Sequence, residues 1–197
     1  MMRIWAKDQP FGAELADVNI GSGTLSADGV TLGIDPTPYH LEYRLSVTDG
    51  YITTQLVVRT RGDSWRRALS LEGATSGTWS CSAESHGNPD LPAPGGDLRS
   101  VAGALDCDLR LCPLTNSMPV LRHSLHQGGG PVDFLMAWVS VPDLAVHPSR
   151  QRYTFVRHEP GGHVVRFESL DDSFLAEIVF DDDGLVLDYP GIGRIAA

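Results

Sequence analysis

The chain has 197 residues, 42% of them hydrophobic, and a formal net charge of -10 at pH 7. That length suits one domain with a sizeable core, and the charge opposes polyanionic partners, which need a basic footprint. Nucleic acid and anionic membrane surfaces are therefore poor partners, because acidic groups and Trp65 dilute the cluster of Arg59, Arg61, Arg66 and Arg67.

Residues 1–11 lack the apolar core of a secretory signal. No run approaches the roughly 18 apolar residues of a membrane span; the longest, 134–139, is strand-sized. Three cysteines without a paired framework suit a reducing compartment. The expectation is a cytoplasmic protein with no integral membrane association.

In chain order, strands are predicted at 12–20 and 30–34, with Asp28-Gly29 turning the chain between them. Leu41, Tyr43, Leu45 and Val47 then alternate with His40, Glu42, Arg44 and Ser46, the period of a half-buried strand. Asp49-Gly50 leads into a β-branched run at 51–59. Asp-Gly between two such runs signals a hairpin, since a type I′ turn needs positive φ at both central residues. Further strands are predicted at 67–71, 78–82, 102–111, 120–125, 132–141, 153–157 and 164–169, and a last hairpin at 174–180 and 185–189 around Asp183-Gly184.

No window of a dozen residues carries a helical stripe, so helix is expected only as a turn or two near 148–152. The stretch 84–100, with three prolines and three glycines, reads as a surface loop within a single domain spanning 1–197. So many strands create an edge problem that coiling into a barrel or roll solves. A large roll can also enclose a ligand.

The most informative segment is 106–122, Asp-Cys-Asp-Leu-Arg-Leu-Cys-Pro-Leu-Thr-Asn-Ser-Met-Pro-Val-Leu-Arg. Alternation puts Leu105, Cys107, Leu109 and Leu111 on one strand face and Asp106, Asp108 and Arg110 on the other, outer face. Arg122 falls among Met118 and Val120, a setting that asks for a charge-assisted bond to Asp106 or Asp108. Paired carboxylates can also run glycoside hydrolysis or hold a hard cation. His123 and His126 would point to opposite faces of a strand, so no metal pair is expected. Asp181, Asp182 and Asp183 read as a solvated turn, Gly21-Ser22-Gly23 lacks the third glycine of a dinucleotide fingerprint, and Cys107 reads as a core residue.

These residues also carry a resemblance. The segment resembles the signature of a bacterial family labelled putative glycolipid-binding, in which Asp-x-Asp-Leu leads to Pro-x-Thr-Asn-x-(Leu/Met)-Pro-(Ile/Val)-x-Arg. Gly12-Ala13-Glu14, Tyr43-Arg44-Leu45, Trp65, Gly77-x-Trp79, Trp138-Val139, Val141-Pro142-Asp143-Leu144, Gln151-Arg152-Tyr153, the run Asp183 to Gly191 and Arg194 follow the same family in order. Where the family more often has Leu-Pro-Ile-Arg-Arg, this chain has Met118-Pro119-Val120-Leu121-Arg122, one arginine fewer. The resemblance implies an all-β spiral roll, a half-open barrel made of one long, strongly curved, mainly antiparallel sheet.

It also implies a non-catalytic role, holding a glycolipid or similar amphipathic molecule in a groove, with no cofactor. Residues and resemblance together place Asp106, Asp108, Thr115, Asn116 and Arg122 at a polar mouth, with Trp65, Trp79, Tyr153 and Tyr189 as amphipathic liners. Two alternatives stand beside this reading. In one, the signature is the folding corner of a scaffold protein; in the other, less favoured, Asp106 and Asp108 serve a glycoside hydrolase.

Overall fold

Strict alternation of apolar and polar residues writes most of the chain into one sheet. The computed structural model describes residues 1–7, 9–87 and 90–196. Its strands are β1 (Met2–Lys7), β2 (Gly12–Gly21), β3 (Thr24–Gly33), β4 (Tyr39–Thr48), β5 (Ile52–Arg61), β6 (Arg66–Gly73), β7 (Trp79–His86) and β8 (Asp106–Leu109). A single short helix, α1 (Ser117–Arg122), precedes β9 (Val132–Val139), β10 (Val146–Glu159), β11 (Gly162–Ser169), β12 (Leu175–Phe180), β13 (Val186–Tyr189) and β14 (Gly193–Ile195).

The 14 strands form one curved, unclosed sheet in the order β7-β6-β5-β4-β3-β2-β1-β14-β13-β12-β11-β10-β9-β8. It is all-β, as alternation and the resemblance predict. Two meanders meet at the β1–β14 seam, where Trp5 pairs with Ile195. Every neighbouring pair is antiparallel except β8 with β9. Coiling lays the β8 edge against β5: the Thr53 amide donates to Leu105 O at 3.0 Å, and the Cys107 amide donates to Thr53 Oγ1 at 3.2 Å.

The coil is filled rather than hollow. Inward residues of β4 to β6, among them Leu45, Leu56, Val58, Leu69 and Leu71, pack with Cys107, Leu109, Leu114 and Met118. A second core gathers Val120, Phe134, Met136, Tyr153, Phe167, Ile178 and Phe180. Helix α1 wedges between the two, giving Met118 and Leu121 to the first and Val120 to the second.

The hairpins at Asp49-Gly50 and Asp183-Gly184 form where the sequence puts them, with φ of 39° and 85° at the first and 74° at Gly184. Asp28-Gly29 does not turn: β3 runs straight through it. The glycine is needed there because a Cβ would come within 2.2 Å of the Tyr43 ring on β4. The turn comes earlier, at Ser22-Gly23, where Gly23 has φ of 75°.

Residues 120–125 are not a strand. Pro113 opens a 3-10 turn (Pro113–Asn116) and α1 follows, with Pro119 in a first turn whose amides lack intrahelical partners anyway. The residues at 148–152, expected to hold a helical turn, are part of β10 instead. The strand expected over 102–111 shrinks to β8, and no sequence pattern announced β1. Of the stretch expected as a loop over 84–100, residues 84–86 belong to β7, and residues 88 and 89 lie outside the described residues. Its later part is tied down: Arg67 donates to Leu91 O, Pro92 O and Asp143 O, and Gly95 bridges to Ala145.

Candidate functional site

Segment 106–122 divides into a fastening and a cleft floor. Asp106 and Asp108 are both buried, so the expected solvated outer face does not exist. The reason is the coil, which puts β8 innermost and folds 113–122 back over its second face.

Asp106 is sealed by Arg122. The guanidinium grips the carboxylate in a fork, Nη1 to Oδ2 at 2.8 Å and Nη2 to Oδ1, while also donating to the carbonyls of Gly50 (3.1 Å) and Tyr51. The side chains are 1% and 12% exposed. Burial lifts the Asp106 carboxyl to about 6, against the pull of Arg122. One arginine thus clamps β8, α1 and the β4–β5 turn together.

Asp108, two residues along the same strand face, has different partners. Its Oδ1 accepts the Thr115 hydroxyl at 2.9 Å and its Oδ2 accepts Gln151 Nε2 at 2.7 Å. Burial raises this carboxyl, and the two donors oppose the rise. The Tyr153 hydroxyl lies 2.9 Å from Asn116 Oδ1 and 3.0 Å from Gln151 Oε1, extending the network across β10. Period two explains the pairing, since Gln151 and Tyr153 share one face of that strand.

The network forms the floor of a cleft of about 400 Å³. Asp108, Asn116 and Gln151 line its base, and Trp138, Phe167, Phe174 and Tyr189 give it aromatic walls. Asp171 and Asp172 add negative charge at the opening. Carboxylate and amide acceptors between aromatic faces suit a neutral polyhydroxyl group, whose hydroxyls donate and whose ring faces stack. Arg110 also lines the cleft, so its charge is mixed rather than wholly negative.

The structure therefore gathers Asp108, Thr115, Asn116, Tyr153 and Tyr189 around one network and its cleft, and places Asp106 and Arg122 behind it. It does not bring in the two tryptophans. The Trp79 indole donates to Ala104 O at 2.9 Å, and Trp65 lines grooves with Asp63 and Ser64 that share no residue with the cleft. Because Asp106 is absent from the cleft lining, the two aspartates do not converge on one ligand. Gln151, Phe167 and Phe174 are not among the site residues read from sequence; the signals for Gln151 are the strand face it shares with Tyr153 and its place in the family run Gln151-Arg152-Tyr153.

His123 packs edge-on against Phe134 and His126 lies 6.0 Å from the His163 ring; no metal-holding group occurs among the described residues. Asp181 Oδ1 accepts the amides of Asp183 and Leu185, so the triple aspartate is a hairpin turn.

A second polar cluster lies behind the cleft wall. Lys7 Nζ and Glu14 Oε2 approach to 3.8 Å, both side chains buried, and neither atom has a hydrogen-bond partner among the described residues. Glu14 Oε1 accepts the Tyr43 hydroxyl at 2.7 Å and the Cys112 thiol at 3.0 Å. Burial lowers the Lys7 amine and raises the Glu14 carboxyl, pushing both toward neutrality.

Comparison with known proteins adds three findings. A family model described as putative glycolipid-binding matches residues 2–194. A crystal structure of a DUF1089 family protein from Pseudomonas aeruginosa superposes with a TM-score of 0.70 at 24% identity, covering 92% of this chain and 91% of that one. No curated protein matches the chain.

Proposed function

Because the chain belongs to the family described as putative glycolipid-binding, we propose that it is a non-catalytic binding protein holding the sugar of an amphipathic glycoside in the Asp108 cleft. The observation that carries this reading is the acid-and-amide floor between aromatic walls. The cleft volume falls in the range of roughly 300–1,000 Å³ typical of small-molecule sites. Because the coil is packed, the apolar tail lies outside it, across the exposed side chains of Leu170, Phe174 and Leu175 beside the opening. Asp106 and Arg122 act in this reading as the fastening that holds the floor, not as ligand contacts.

The test compares short-chain alkyl glucosides and maltosides with alkyl phosphocholines of equal chain length, by thermal shift and native mass spectrometry. The glycosides are expected to raise Tm and the phosphocholines to leave it unchanged. Asp108→Asn is expected to weaken glycoside binding by about 10–100-fold, the worth of one charge-assisted hydrogen bond. Phe174→Ala, at the partly exposed rim, serves as the second variant. No shift with any glycoside, or wild-type affinity in both variants, would overturn the reading.

A further inference from the structure

The outward face of the first meander carries an ordered row that the sequence does not reveal. Register aligns His40 on β4 with Arg61 on β5, Arg61 with Arg66 on β6, and Arg66 with His86 on β7. Neighbouring strands lie about 4.8 Å apart, so the two guanidinium stems stand side by side. Like charges directly opposite each other across a strand pair are destabilising. Yet neither Arg61 nor Arg66 has a carboxylate within ion-pair distance among the described residues, and nor does Arg59 one row along. Most arginines of this acidic chain do have one.

The arrangement is also oriented. Arg61 Nε donates to His40 Nδ1 at 3.4 Å, which leaves the imidazole proton on Nε2. His40 and His86 lean toward Glu42 and Glu84 at 3.8 Å and 4.0 Å, beyond hydrogen-bond reach, so the glutamates flank the row without neutralising its arginines. These groups line a groove of about 240 Å³ with Ala68 at its floor. It shares no residue with the Asp108 cleft.

We infer that the His40–Arg61–Arg66–His86 row is an anion site for a phosphate group, separate from the cleft. Two neighbouring guanidinium forks need an acceptor with more than one edge and more than one charge. A phosphomonoester dianion offers both, whereas a carboxylate satisfies a single fork. Along the same row the register continues from His40 to Leu32 on β3, then to Ala13 and Ala6. Leu32 is 55% exposed, with Phe11 (66%) and Ile34 (51%) on the adjoining loops. A phosphate carried on an aliphatic group therefore finds apolar surface beside it, and a free phosphate ester needs only the row.

The experiment uses the whole chain and the double variant Arg61→Gln/Arg66→Gln. Without ligand, the variant is expected to melt no lower than wild type, because it removes a repulsion. In one arm, inorganic phosphate is titrated by calorimetry at constant ionic strength set with chloride. In the other, vesicles of phosphatidylcholine alone are compared by flotation with vesicles containing phosphatidic acid. Wild type is expected to bind in at least one arm, at least 10-fold more tightly than the variant; phosphate alone marks a soluble ester, and phosphatidic acid alone marks a lipid-borne one. Should the glutamine variant not fold, Arg61→Lys/Arg66→Lys keeps both charges, loses both forks and is expected to bind several-fold more weakly. Equal affinity of wild type and variant in both arms, or no binding in either, would overturn the site.

Discussion

Replacing Arg122 by alanine is expected to destabilise the fold by about 3–5 kcal/mol, the cost of leaving one member of a buried ion pair behind. For a chain of this size that corresponds to a fall in Tm of roughly 6–20 °C. The stranded group would be Asp106, 1% exposed, already lifted to about 6 by burial and without another cationic partner among the described residues. Two carbonyls of the β4–β5 turn, Gly50 and Tyr51, would lose their donor at the same time. Arg122→Lys separates charge from geometry: it keeps the cation but not the fork, and should recover only part of the loss. The companion Asp106→Asn keeps an acceptor and removes the charge. Thermal melts of the three variants check this account, and an Arg122→Ala Tm within about 2 °C of wild type would remove the fastening role.

The buried Lys7–Glu14 pair should behave differently from a surface ion pair. Each charge lies in the coil with an unpartnered atom facing the other across 3.8 Å. Lys7→Met alone leaves a buried carboxyl supported only by Tyr43 and Cys112, and Glu14→Gln alone leaves a buried amine without its counter-charge. Each single change is expected to cost about 3–5 kcal/mol. The double change should cost less than their sum, because it leaves no charge buried without its partner. A double-mutant cycle measures the difference as a coupling energy of about 1–3 kcal/mol or more. Additivity within about 0.5 kcal/mol would mean that the two groups do not sense each other.

What could be read in advance follows from how each segment is buried. Strands with one face inward, such as β4, announce themselves, because burial on one side imposes period two on Leu41, Tyr43, Leu45 and Val47. Helix α1 does not: both of its sides are covered by core, so Met118, Val120 and Leu121 form an apolar run without a period. Asp28-Gly29 misleads because the freedom that lets glycine turn also lets it lie under an aromatic ring. The Asp106–Arg122 bond was legible, since an arginine among apolar neighbours needs an acid. The cleft was not, because Gln151, Phe167 and Phe174 reach Asp108 only through the coiling of the sheet, which no local pattern encodes. The arginines of the basic row stand out as a cluster, but their alignment with His40 and His86 does not, as cross-strand register brings residues from four strands together.

The strand order also bears on how quickly the chain finds its structure. Within each meander successive strands are neighbours, so their pairing closes only short loops, whereas the seam joins residue 5 to residue 195. Loops of that length form late, since their closure entropy is met before their contacts repay it. Pulse-labelling hydrogen exchange during refolding should find the amides of β3, β4 and β5 protected before those of β1 and β14. Simultaneous protection would mean that the two halves collapse as one unit. On this expectation, folding speed follows from a few hydrogen bonds at the centre of the sheet, far in sequence from the segment that shapes the cleft.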